Sequence, residues 1–338
     1  MLPGTTDILG HATVLDQLWS ALRAEEAHHA YLFEGPKGVG KRTVAERYAM
    51  AANCERDGER PCGTCRSCHT IASGAHPDVI RLEPPPDRAT RIIPVKDVRE
   101  VIRKSGYHRY GGRRRVVIID PAEAMQPAAA NALLKTLEEP PEGTGFILIA
   151  SHASALLPTI VSRCQRVRFG PVPMGPLAAW LGDRGHRTVA EQAAALSLGC
   201  PGRALALAEG GLKRRLKLRD QVLDALAGGA DPRQTLARKL TSGDRQKWGA
   251  AVQDVLEVLE DLLRDATVQA AGGGQLLNAD RADVVDRWSR ALWPTGVERC
   301  ARAIADSRDA LEVYVTGRTV VDALLGTFAR ELGPAAHT

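Results

Sequence analysis

A parallel α/β domain followed by an all-helical C-terminal half is the fold predicted by this sequence. Three observations carry that expectation. Up to about residue 170, short apolar runs alternate with segments of helical periodicity. A glycine-rich, phosphate-cradling loop, Gly35-Pro36-Lys37-Gly38-Val39-Gly40-Lys41, lies between one such run and one such segment. After Pro171-Val172-Pro173 no strand pattern remains. Strands that alternate with helices build a parallel sheet covered on both faces.

The elements follow in order. A first helix is expected over about 12–24, then the strand Tyr31–Glu34, the loop, and a helix over Arg42–Ala52. Asp78-Val79-Ile80-Arg81-Leu82 is the second strand. Glu83–Thr90 holds Pro84-Pro85-Pro86 and is a loop. Val95, Val98 and Ile102 share one face of a helix over Val95–Lys104. Val116–Asp120 is a β-branched run and reads as a buried parallel strand. A helix over Ala128–Leu137 stops before Glu139-Pro140-Pro141. Phe146–Ala150 and Arg166–Phe169 complete a five-stranded sheet. Helices at about 174–184, 188–198 and 201–208 form a small unit over 171–208, after an α/β domain over 1–170. A longer helical block spans 209–333. In it Val252, Leu256, Leu259 and Leu263 repeat at helical spacing, Leu311, Val315, Val320 and Leu324 suggest another helix, and Gly272-Gly273-Gly274 is a break.

The 338 residues are enough for two or three domains. Aromatic residues make up 4% of the chain, so the cores must rest on Leu, Val, Ile and Ala. No run approaches the roughly 20 apolar residues of a membrane span. Met1–Ile8 lacks the charged and apolar regions of a signal peptide, so a cytoplasmic protein without a membrane partner is expected. A net charge of +5 permits contact with nucleic acid without demanding it.

The phosphate loop is only partly equipped for hydrolysis. Gly35, Gly38 and Gly40 let the backbone N–H groups face phosphates, and Lys41 adds a point charge. A magnesium-binding hydroxyl belongs directly after the lysine. Arg42 stands there, and Thr43 comes one residue late. One helical residue is about 100° of rotation, which turns Thr43 elsewhere. Asp120 ends the third expected strand as a magnesium-orienting acid would. The position after it, where a base would polarise water, holds Pro121, and the next acid is Glu123. Whether ATP or ADP still binds stays open.

Four of the seven cysteines, Cys54, Cys62, Cys65 and Cys68, follow a C-x7-C-x2-C-x2-C pattern. Turn residues Gly58, Pro61 and Gly63 flank them. Four thiolates at this spacing suit a closed structural zinc site. Free or disulfide-bonded cysteines and an iron–sulfur cluster are the competing readings, and disulfides are disfavoured in a cytosolic chain. His69 and His76 read as solvated or locally hydrogen-bonded, and Cys200 and Cys300 as core.

His28-His29-Ala30-Tyr31-Leu32-Phe33 before the loop, the cysteine knuckle behind it, Asn131–Pro141 and Ser162-Arg163-Cys164 together resemble the bacterial clamp loader of DNA polymerase III. The matches span roughly residues 8–207. The C-terminal block resembles the family only as a helical collar of suitable size. The resemblance implies an AAA+ module, a small helical lid and a collar that holds five subunits in a ring. It further implies motor subunits (gamma or tau), delta, the sliding clamp and primer-template DNA as partners, in a replisome at the nucleoid. Motor subunits of the family keep a threonine after the loop lysine and an Asp-Glu pair after the third strand. This chain departs at both places and resembles the stator type. On that resemblance Arg163 is an arginine finger that acts on ATP held by a neighbouring motor subunit. The competing class is an autonomous ATPase, a divergent motor subunit of the gamma/tau type or another AAA+ enzyme, that uses Thr43 and Glu123 in displaced roles.

Weaker candidates remain. Arg203, in Gly199-Cys200-Pro201-Gly202-Arg203, resembles the lid sensor that faces nucleotide in cis, or else is a packing contact. Ser151 is a first sensor or a simple cap. Lys96, Arg99 and Arg103 share a helical face that meets phosphate or water. Arg113-Arg114-Arg115 reads as a solvated turn.

Overall fold

The computed structural model describes residues 8–85, 92–312 and 315–333. Met1–Leu205 and Ala206–Thr338 are two compact units.

In the first unit five strands form one parallel sheet in the order β2-β3-β4-β1-β5. They are β1 (Ala30–Glu34), β2 (Val79–Leu82), β3 (Arg115–Ile119), β4 (Thr144–Ala150) and β5 (Gln165–Arg168). The helices among them are α1 (Ala12–Arg23), α2 (Lys41–Asn53), α3 (Arg66–Ala72), α4 (Val95–Ser105), α5 (Pro127–Glu138) and α6 (Pro158–Val161). Helices α7 (Met174–Asp183), α8 (Ala190–Leu196) and α9 (Pro201–Ala206) follow.

Burial explains the strand composition. Every residue of β1, β3 and β4, the three inner strands, is buried, as a doubly covered parallel sheet requires, with Glu34 and Arg115 the charged exceptions in otherwise largely apolar runs. Strand alternation splits them between two cores. Tyr31, Phe33, Val116, Ile118, Ile147 and Ile149 pack with Leu18 and Trp19 of α1 and Tyr48 of α2. Leu32, Val117, Ile119, Phe146 and Leu148 pack with Val98 of α4 and Leu133 and Leu137 of α5. The edge strand β5 buries only Val167. Because all strands run the same way, the residues after β1 and β3 emerge at one edge of the sheet, where α/β folds bind ligands.

The second unit contains α10 (Leu212–Ala227), α11 (Ala230–Leu240), α12 (Arg245–Ala270), α13 (Ala282–Leu292), α14 (Thr295–Glu312) and α15 (Gly317–Leu332). Val252, Leu256, Leu259 and Leu263 face its core with Trp288 and Phe328. The glycine break at 272–274 lies past the end of α12.

Three expectations need correction. Leu311, Val315, Val320 and Leu324 do not share a helix: Leu311 belongs to α14, and Val320 and Leu324 belong to α15. Thr316 is extended (ψ 136°) and precedes α15 as its N-cap, and the five-residue step from Val315 to Val320, about 140° off a single helical face, falls at this junction. The knuckle contains a helix, α3, besides its turns. Arg115 is not in a solvated turn. It is 2% exposed, and its guanidinium donates to Asp78 at 2.8 Å and to the carbonyls of Lys104 and Tyr107, each at 2.7 Å. Its neighbour Arg114 donates to the carbonyls of Ala27 and His28. The expected loop Glu83–Thr90 is irregular over residues 83–85. Its remainder, and the ends Met1–Asp7 and Pro334–Thr338, lie outside the described residues.

Candidate functional site

The phosphate loop joins β1 to α2. Gly35 has φ 149°, and a Cβ there would stand 2.3 Å from the Phe169 carbonyl oxygen, so only glycine fits. Gly40 (φ 116°) turns the chain directly into α2. This is a helix N-terminus with a cradle of N–H groups in front of it, which suits phosphate. Lys41 is buried, and its ammonium donates to the carbonyls of Gly35 and Pro36. Burial lowers its pKa, against the pull of Asp120 and Glu123.

Two further segments close on the loop. The Gly202 N–H donates to the Gly38 carbonyl at 2.9 Å, which sets the Arg203 backbone against Gly38. His11 meets the Val39 carbonyl at 3.1 Å through Nε2 and the Phe169 ring edge-on. Burial lowers the His11 pKa, and the Val39 carbonyl opposes the shift.

Asp120 stands just past β3. Burial raises its carboxyl pKa, and the charges of Arg42 and Lys41 work the other way. Arg42 is the decisive neighbour. Its guanidinium pairs with Glu83, lies 3.6 Å from Asp120 and 3.7 Å from Glu46. A magnesium ion here needs a hydroxyl after the lysine and an acid free to face it. Arg42 supplies no oxygen and already sits in the field of the acid. The residues fit phosphate but do not fit a magnesium ion.

Glu123 follows in a short 3₁₀ turn, Ala122–Ala124. The Ser151 N–H and hydroxyl both donate to its Oε1, at 3.0 and 2.8 Å. The Ser151 carbonyl in turn accepts from the Gly35 N–H at 3.1 Å. Glu123 is thereby bound into the floor of the loop by Ser151.

The structure thus brings Gly35, Gly38, Gly40, Lys41, Asp120 and Arg203 around one loop. Arg163 stands apart, just past α6. Its hydrogen bonds go to Thr159, Ser162 and Glu138, and none reaches the phosphate loop. Sequence reasoning missed Glu83 and His11. Glu83 follows β2 directly, beside the end of β3 and Asp120, and an acid just past a strand adjacent to the third is the signal that could have found it.

The cysteines form a second centre. The Sγ atoms of Cys54, Cys62, Cys65 and Cys68 lie within 4.8 Å of one another. A tetrahedron with metal–sulfur bonds of about 2.3 Å places sulfurs about 3.8 Å apart, so small shifts close the set around one ion. Cys54 caps the end of α2, and Cys65 caps α3 by accepting the Cys68 N–H at 3.4 Å. The Cys65 N–H donates to Cys62 Sγ at 3.3 Å. Burial works against ionisation of Cys62, yet the donors of Thr64 and Cys65 outweigh it and bring its pKa down to about 6. Ser67 donates twice to Glu55, and Trp19 donates to the Arg60 carbonyl, which anchors the knuckle to α1. This cluster can hold a metal ion. His69 is exposed and His76 is buried, with Nδ1 accepting the Asp78 N–H.

Residues 10–173 match the family model described as DNA polymerase III, delta subunit. DNA polymerase III subunit delta' of Escherichia coli is 32% identical over 310 residues, covering 89% of this chain and 88% of that protein. The chain belongs to the DNA polymerase III subunit delta' family. The delta' subunit of Pseudomonas aeruginosa is 46% identical over 149 residues, which are 44% of this chain and 45% of that protein. The tau subunit of Escherichia coli is 33% identical over 272 residues, 79% of this chain but 38% of tau. This delta' family member therefore spans less than half the length of two of these relatives and nearly all of the third. Among the described residues no helix is long and apolar enough to cross a membrane.

Proposed function

We propose that this chain is the stator of a bacterial clamp loader, which helps load the sliding clamp onto primed DNA. One observation carries the reading beyond family membership: Arg42 is paired with Glu83 and Asp120 in a phosphate loop that is otherwise whole. A loader subunit built this way cannot place magnesium on a γ-phosphate in cis, so its part in hydrolysis lies in trans. Arg163 supplies that part, as a guanidinium directed at ATP in an adjacent motor subunit of the gamma/tau type. The delta subunit, the clamp and primer-template DNA complete the assembly. Residues 171–208 serve as the lid and 209–333 as the collar of a five-subunit ring. The four cysteines hold one structural zinc ion, since four sulfur ligands leave no open position for chemistry.

The test is reconstitution. The chain should co-purify with motor and delta subunits and raise clamp loading when added to them. Failure to enter that complex would remove the proposal.

A further inference from the structure

Polyphosphate in a P-loop is ordinarily neutralised by the loop lysine and a divalent cation together. This chain retains the lysine and the cradle: Gly35, Gly38 and Gly40 all have positive φ, and α2 begins directly behind them. The place of the cation is taken differently. Arg42, in the first turn of α2, reaches Glu83 and lies 3.6 Å from Asp120. Its side chain is 47% exposed, so the guanidinium is reachable by a ligand. Glu46, the third acid nearby, is shared with Arg81 at 3.4 Å, which limits how much of the Arg42 charge is cancelled.

We propose that Arg42 replaces the divalent cation, so that this loop binds the polyphosphate of a nucleoside triphosphate without metal. A guanidinium has five donors in a planar fork and can hold a carboxylate and a phosphate oxygen at once. It also repels an incoming dication by like charge. Lys41 supplies the second positive charge: its ammonium rests on the Gly35 and Pro36 carbonyls and has only to exchange them for phosphate oxygens. The bound nucleotide would then be a fixed part of the subunit.

This inference rests on reading the loop as a nucleotide site that does not hydrolyse. The experiment is a titration of the full chain with a fluorescent ATP analogue, in magnesium and in EDTA at an exposure that leaves cysteine-bound metal in place by metal analysis, with hydrolysis followed in parallel. The wild-type affinity should agree within about twofold between the two buffers, and Lys41→Ala should weaken both. Arg42→Thr should lose about tenfold in EDTA and regain affinity when magnesium is added. Unchanged thermal melting and metal content would show that the variant folds. Wild-type binding that falls about tenfold in EDTA, or no saturable binding in either buffer, would overturn the proposal. Neither result touches the stator reading, whereas magnesium-dependent turnover by the wild type would defeat that reading itself.

Discussion

The guanidinium of Arg163 is tied to the carboxylate of Glu138, the last residue of α5. A second bond, to the Thr159 carbonyl at 2.8 Å, fixes the same side chain to the start of α6. The Arg163 and Glu138 side chains are 32% and 48% exposed, so the pair itself adds little stability, roughly 0–1 kcal/mol. Its effect is orientation. Holding an arginine in one conformer at the surface lowers the entropy lost when it meets a phosphate.

Loss of that arginine should therefore be silent in the isolated chain and visible in the complex. Arg163→Ala should leave melting and subunit assembly unchanged and lower DNA-stimulated hydrolysis by the rebuilt loader. Arginine fingers contribute roughly 10³–10⁵ in rate at a single site. The effect on the whole complex should be smaller, because other motor sites keep their own fingers. Arg163→Lys should not restore the rate fully, since an ammonium lacks the planar fork. Equal hydrolysis and equal clamp loading by mutant and wild-type complexes would make Arg163 a surface residue only.

In cis the expected outcome is the opposite. Pro121 cannot polarise water, Arg42 cannot ligate magnesium, and Glu123 accepts two bonds from Ser151. The purified chain should turn over ATP no faster than Lys41→Ala. Steady-state phosphate release measures this, and turnover that vanishes in the Lys41 variant would revive the autonomous ATPase.

The sheet was legible because its strands are buried on both faces. A run such as Val116–Ile119 has no other comfortable place, and the five strands fall within one or two residues of their expected bounds. The phosphate loop and the four cysteines were legible because their spacing carries the chemistry. What the sequence hid was pairing at a distance. Arg115 looked like one of three solvated arginines, and only the fold brings Asp78, 37 positions away, against it. Glu83 lies 41 positions from Arg42, so its place just past β2 could mark it as a site residue, but only the fold shows that Arg42 is its partner. The α14–α15 junction was missed although the five-residue step from Val315 to Val320 departs from helical spacing, because the four-residue steps on either side of it read as one helix.

The knuckle makes a separate prediction. Freshly purified protein should carry close to one equivalent of zinc and show no visible colour. Cys68 is buried, and Cys68→Ser should lose the metal and lower the melting temperature, because metal binding is coupled to folding of the site. Iron–sulfur absorbance, or a metal-free chain that melts at the wild-type temperature, would exclude a structural zinc.

The buried Asp78–Arg115 pair sets the response to acid. The Asp78 side chain is fully buried and that of Arg115 is 3% exposed. Burial alone would raise the Asp78 pKa. The Gly112 N–H, the Arg115 guanidinium and the Tyr110 N–H outweigh it and lower the value below the ordinary carboxylate range. A carboxyl whose folded pKa is depressed stabilises the fold above its unfolded pKa, about 3.9. That stabilisation is lost as pH falls through the folded value. At neutral pH, Asp78→Ala leaves Arg115 buried without its counter-ion and should cost about 3–5 kcal/mol. Acid would also release a metal ion held by the cysteines, in wild type and variant alike. The informative quantity is therefore the difference between their urea unfolding free energies. It should be largest near neutrality and shrink below about pH 4. A difference that stays constant across that range would mean that Asp78 contributes through packing and not through its charge.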